Sequence, residues 1–189
     1  MPARLPLGLV LLLVLLSHPG CKPAIKPIRT VKAITQTTPI EFTFPEDWIP
    51  NPDEHPFDLQ WQDKQLHMTT GVFAMHKEDI PDGSSVPGLY ELQIDDLRGK
   101  RDNFTTVKAA QVQERDGKKL TTTVFQGEKG GEKYYYRFTL IEFLRNDSKF
   151  AIVMQNSFPE HWNENEPVFE MITNSARALD EMPASPASP

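Results

Sequence analysis

The chain has one cysteine in 189 residues, Cys21. A single thiol cannot close an intramolecular disulfide, so no covalent staple holds this fold. A domain of this size buries enough apolar surface to do without one. Acid is missing from the first 39 residues, which carry Arg4, Lys22, Lys26, Arg29 and Lys32. The rest of the chain holds 15 basic and all 26 acidic side chains, net −11. A body this acidic repels phosphate backbones, which argues against nucleic acid as a partner. The longest apolar run, residues 5 to 16 (LPLGLVLLLVLL), falls short of the roughly 20 residues that a spanning helix needs. Gly-rich phosphate loops, HExxH, GxSxG and CxxC are all absent.

What is there begins with that run. A positive residue, Arg4, then about a dozen apolar residues, then turn-forming residues is the layout of a secretory signal peptide, here residues 1 to 20. Cys21 follows Gly20 directly. This resembles the lipobox of bacterial lipoproteins, in which a small residue precedes the cysteine that is lipidated and becomes the new N-terminus. The family usually has Leu three places before the cysteine and Ser or Ala two before it, where this chain has His18 and Pro19. Ordinary cleavage nearby and an uncleaved anchor are the alternatives. Residues 21 to 39 then read as the lipidated cysteine and a flexible tether, broken by Pro23, Pro27 and Pro39, with an rms reach of roughly 25 Å. Its basic residues face anionic headgroups or simply water. Residues 40 to 182 form one domain, and PASPASP at 183 to 189 is a low-complexity tail expected to be disordered.

Within the domain, IEFTF (40 to 44) alternates Ile40, Phe42 and Phe44 on one face, as a half-buried strand does. Residues 57 to 62 and 66 to 77 read as a hairpin turning near Asp63 and Lys64. From Val86, apolar Tyr90, Ile94 and Leu97 recur at helical spacing, with Ser84 or Ser85 as cap, Pro87 in the first turn and Gly99 near the end. Four strands follow at 105 to 115, 119 to 128, 133 to 145 and 149 to 158, with turns at Asp116-Gly117 and Gly130-Gly131. A last helix puts Val168, Ile172, Ser175 or Ala176, and Leu179 on one stripe, capped by Asn163 or Asn165. Hairpin-linked strands demand an antiparallel sheet, so the class is α+β, with about six to seven strands between two main helices.

FTFPEDW (42 to 48), the mid-chain helix and NSFPEHWNENEPVFEMITNSARAL (156 to 179) resemble the PsbP/Mog1/DcrB-like superfamily over about residues 40 to 180. The resemblance implies an α/β/α sandwich. It also implies a binding or assembly factor, since that is what most members are. The export signal points to the envelope-lipoprotein branch.

Candidate sites are few. His67 and His76 lie nine apart on one strand and should point to opposite faces, so they make no zinc pair without a bulge. Asp53, Glu54 and His55 cluster in a loop, as a weak cation site or a solvated turn. Glu91, Asp95 and Asp96 read as a solvated helix face. Asn103 and Asn146 sit in glycosylation triplets that a bacterial lipoprotein would ignore. The chain carries 18 aromatic residues, and Tyr134, Tyr135 and Tyr136 cannot all face inward, because a strand alternates sides. Their ordinary role is core and cross-strand packing. Their functional role would be a partner groove, with Tyr135, Arg137, Trp48 and Trp162 as binding candidates. The expectation is a non-enzymatic envelope lipoprotein, facing the periplasm if the cell is Gram-negative. It would be held in the membrane through Cys21 and bind an envelope protein. No catalytic residue, metal ligand or cofactor is assigned. A periplasmic ligand carrier with a cavity beneath the helices is one alternative, and an envelope hydrolase or metal-dependent enzyme another.

Overall fold

A computed structural model describes residues 29 to 51, 57 to 65 and 67 to 180. The segment expected to be a signal peptide, Cys21, the Asp53-Glu54-His55 cluster and residues 181 to 189 lie outside the described residues.

The strands are β1 (Thr30–Ile34), β2 (Ile40–Pro45), β3 (Ile49–Pro50), β4 (Leu59–Gln62), β5 (Met68–His76), β6 (Asp102–Arg115), β7 (Lys118–Lys129), β8 (Glu132–Phe143), β9 (Lys149–Ser157) and β10 (Arg177–Ala178). Two α-helices, α1 (Val86–Arg98) and α2 (Trp162–Ser175), interrupt them. Seven strands form one sheet in the order β3-β4-β5-β9-β8-β7-β6, and β1-β2-β10 form a second. Every neighbouring pair is antiparallel. The fold is the expected α+β arrangement, with a small second sheet beside one of the helices.

Strand alternation splits the core in two. On one face of the large sheet, Tyr90 and Ile94 of α1 pack over Phe138, Leu140, Phe150 and Ile152. On the other, Phe169 and Ile172 of α2 share a cluster with Ile40, Phe42 and Phe44 of β2 and with Val72, Ile141 and Val153. The three β2 side chains and the two from α2 are fully buried. Each contributes roughly 1.5–3 kcal/mol of burial.

Local chemistry explains the helix ends. Ser85 Oγ accepts the Gly88 N–H at 3.1 Å and Pro87 fills the first turn, so α1 starts where the sequence places it. Helix α2 differs from expectation at both ends. It begins at Trp162, after a 3₁₀ turn over Pro159–His161, with no side-chain cap. Asn165 lies inside it, buried, donating to Ser157 Oγ at 2.7 Å. It ends at Ser175 rather than Leu179, because Lys118 Nζ takes the Asn174 and Ala176 carbonyls at 2.5 and 2.9 Å and β10 follows at once. A cation on the last carbonyls satisfies the orphan acceptors and meets the negative end of the helix dipole.

The second correction concerns the tether. Thr30–Ile34, expected within the flexible segment, is β1 and pairs with β2 from Thr30 opposite Pro45 to Ile34 opposite Glu41. The buried Thr35 hydroxyl then accepts the Ile40 N–H at 2.9 Å and closes the turn. The run TVKAIT has the β-branched content of a strand, which the prolines on either side obscured.

Candidate functional site

The expected aromatic face is not solvent-facing. Trp48 and Trp162 are each only 4% exposed. Trp48 packs 6.2 Å from the Phe44 ring, and Trp162 opens α2 with its ring edge-on to Tyr135 at 5.3 Å and 5.8 Å from Phe169. Tyr135 is half-buried against the same cluster. Arg137 is 7% exposed. The reason is tertiary: Tyr135 and Arg137 do share a strand face, and it is the face that α2 covers. Their placement under a helix could not be read from alternation, which fixes sides and not coverings.

Arg137 nevertheless reaches solvent space. It forms the floor of a cleft of about 190 Å³ between α2 and the last strand of the sheet, β6. Lys108, Gln111 and Gln113 line the β6 wall, and Glu166, Glu170 and Asn174 line the α2 wall. Spacing places them there. Glu166, Glu170 and Asn174 are four apart, hence on one helix face. Gln111 and Gln113 are two apart and sit opposite Thr122 and Leu120 of β7. Lys108 Nζ and Glu166 Oε1 close the cleft at 2.6 Å.

The guanidinium is held by neutral groups. Arg137 Nη1 donates to Gln155 Oε1 at 2.8 Å and Thr173 Oγ1 at 3.1 Å. Gln155 Nε2 and Thr173 Oγ1 both donate to the Phe169 carbonyl, at 3.1 and 2.8 Å, so the network ties α2 to the sheet. Among the described residues no carboxylate lies within ion-pair distance of Arg137, and its Nε and Nη2 have no hydrogen-bond partner. Burial pushes its pKa down, and the carboxylates of Glu170 and Glu166 farther off pull it partly back.

Two further placements bear on function. His67 stacks on His161 at 5.1 Å with the rings 7° from parallel, joining the β4–β5 hairpin to the turn before α2. Nothing in the spacing of 94 residues signals that pairing. Among the described residues no group of three or more His, Cys, Asp or Glu side chains could hold a metal ion. The other feature is β6 itself. Of its 14 residues only Phe104 is half-buried, and the rest are exposed. Among the described residues it pairs with β7 alone, through three register shifts, and no strand lies on its other edge.

Neither protein-family models nor curated protein sequences give a match to this chain. Solved structures do. Cyanobacterial PsbP from Synechocystis sp. PCC 6803 superposes with a TM-score of 0.57 at 14% identity, over 85% of this chain and 99% of that one. LpqN, described as involved in cell envelope biogenesis of Mycobacterium tuberculosis, gives 0.56 at 10% identity, over 80% and 91%. The Ran-binding protein Mog1p of Saccharomyces cerevisiae gives 0.54 at 9% identity, over 81% and 97%. The domain has the PsbP/Mog1 fold. Identities this low carry the architecture and nothing of the site, so the cleft and the free strand of this PsbP/Mog1-like domain are argued from its own residues.

Proposed function

We propose that the chain is a non-enzymatic binding or assembly factor of the bacterial envelope, tethered through a lipidated Cys21 and docking an extended segment of a protein partner on β6. The observation that carries this is the edge of β6, a strand of 14 residues, 13 of them exposed, that pairs with no strand but β7 among the described residues. A bare edge offers a row of unpaired N–H and C=O groups to another strand. Natural domains that keep such an edge for a partner gain affinity from main-chain bonds and specificity from alternate side chains. The register shifts and the charges of Asp102, Lys108, Glu114 and Arg115 discourage indiscriminate pairing between copies. A fold shared with a protein of envelope biogenesis and with a Ran-binding protein supports the reading. Trp48, Trp162 and Tyr135 then act from behind the surface, in the core cluster that β2 and α2 share.

The test is site-directed photocrosslinking in intact envelopes. A crosslinking residue at Val112, an exposed apolar position on β6, should give one discrete protein adduct, and the same residue at exposed Leu92 on α1 should not. Equal adducts from both positions, or none from Val112, would refute docking on β6.

A further inference from the structure

A buried guanidinium whose hydrogen bonds go only to neutral groups is costly to keep. Arg137 spends Nη1 on Gln155 and Thr173, and that single nitrogen accounts for its structural role. The Nε–Nη2 edge is left without a protein partner among the described residues, in a side chain that is 93% buried and forms the floor of the β6–α2 cleft. That edge is the planar fork that matches the two oxygens of a carboxylate.

The walls narrow the choice of anion. Lys108 is already paired with Glu166, and among the described residues the only ion pair of Arg115 is to its neighbour Asp116, at 3.2 Å. Glu170 has no ion pair or hydrogen bond among the described residues and stands on the α2 wall of the same cleft. A free carboxylate beside a free guanidinium disfavours a multiply charged anion. It favours a ligand that brings an ammonium group together with its carboxylate. The volume, about 190 Å³, equals roughly six waters of the liquid, which is the size of an amino acid or dipeptide and far below that of a lipid.

We propose that the cleft between β6 and α2 binds a small amino-carboxylate, an amino acid or a short peptide, with its carboxylate on the Nε–Nη2 edge of Arg137 and its ammonium against Glu170. The site uses side chains on one face of β6 and leaves the hydrogen-bonding edge of that strand free. It therefore stands or falls separately from docking on β6.

The experiment follows amide chemical shifts of the full-length protein in detergent micelles during titration with L-alanyl-L-alanine, acetate and inorganic phosphate. The dipeptide should give saturable shifts at Thr122, Val124 and Asn174, and acetate the same shifts at roughly fivefold higher concentration or more. Phosphate should be weaker than the dipeptide. Glu170→Gln, at an exposed position, should bring the dipeptide down to the level of acetate. Arg137→Lys, which keeps the charge and loses the fork, should weaken both carboxylates. No saturable shift up to about 100 mM, a weak-binding limit well above millimolar affinity, would overturn the proposal. So would phosphate binding as tightly as the dipeptide, or dipeptide affinity unchanged in Glu170→Gln. The last of these variants keeps the test decisive if Arg137→Lys fails to fold.

Discussion

Tyr90 is 3% exposed, and its hydroxyl bonds Thr123 Oγ1 at 3.1 Å and the Phe138 carbonyl at 3.3 Å, so α1 is hung on the sheet by a phenol as well as by apolar contact. Burial pushes its pKa up from 10 to about 12, against a smaller opposing effect of the Thr123 bond. The unfolded chain ionises near pH 10 while the folded chain holds the proton to about 12. Stability from this group is therefore full below pH 10 and lost as pH rises from there towards 12. A two-unit shift corresponds to about 2–3 kcal/mol at most. The urea midpoint should fall steeply above pH 10, and Tyr90→Phe should flatten part of that fall. Tyr134 and Tyr136, whose pKa values burial also raises, act in the same direction. An unchanged slope in Tyr90→Phe would mean that the phenol ionises without unfolding.

Among the elements, β1 changes what counts as the domain. The apolar alternation from Ile40 onward gives every visible sign of a complete start, and a chain beginning at Thr38 would look sufficient from sequence. The structure puts Val31 and Ala33 against the core and pairs β1 with β2 from Glu41 to Pro45. Without it, β2 keeps only the two-residue pairing with β10. Beginning the chain at Thr38 should cost on the order of 2–4 kcal/mol in lost ladder bonds and apolar burial. The urea midpoint against the full-length protein measures it, and an equal midpoint would show that β1 is dispensable. The exposed Lys32–Glu41 pair beside it, at 2.9 Å, adds little. Helix α2 makes the complementary point. Its apolar period was legible, but the sequence centred the stripe on Val168 and Ile172 with Phe169 beside them, whereas the structure buries Phe169 and Ile172 and leaves Val168 half-buried. Its start and end were set by Asn165 turning inward to Ser157 and by Lys118 arriving from 56 residues away.

For the whole molecule, the question is where it works. No helix among the described residues is long and apolar enough to cross a membrane. The anchor we propose is the lipid on Cys21, with eight residues between it and β1. Fully extended, eight residues span at most about 30 Å, so the domain would sit close to the bilayer. Cys21→Ser should move the protein from the membrane to the supernatant fraction without altering its urea midpoint. A variant that pellets as firmly as the parent would exclude lipid at Cys21 as the anchor.

Sequence by itself determined the class and the order of the main elements, though not β1, β3 or β10. Alternation in 40 to 44 and 133 to 145, the Asp116-Gly117 turn with both φ angles positive, and the capped α1 are local patterns that hydrogen bonding and backbone sterics impose wherever they occur. It also placed Tyr135 and Arg137 on a common face. Only the tertiary structure decided that α2 closes over that face, that Trp48 and Trp162 go inward, and that Arg137 and Glu170 line one cleft. It alone shows that β6 is the last strand of its sheet, because a hairpin names one neighbour of a strand and leaves the other side open. The physical reason is the same in each case. Backbone pattern is local, but what covers a face or borders an edge is set by packing between residues far apart in the chain.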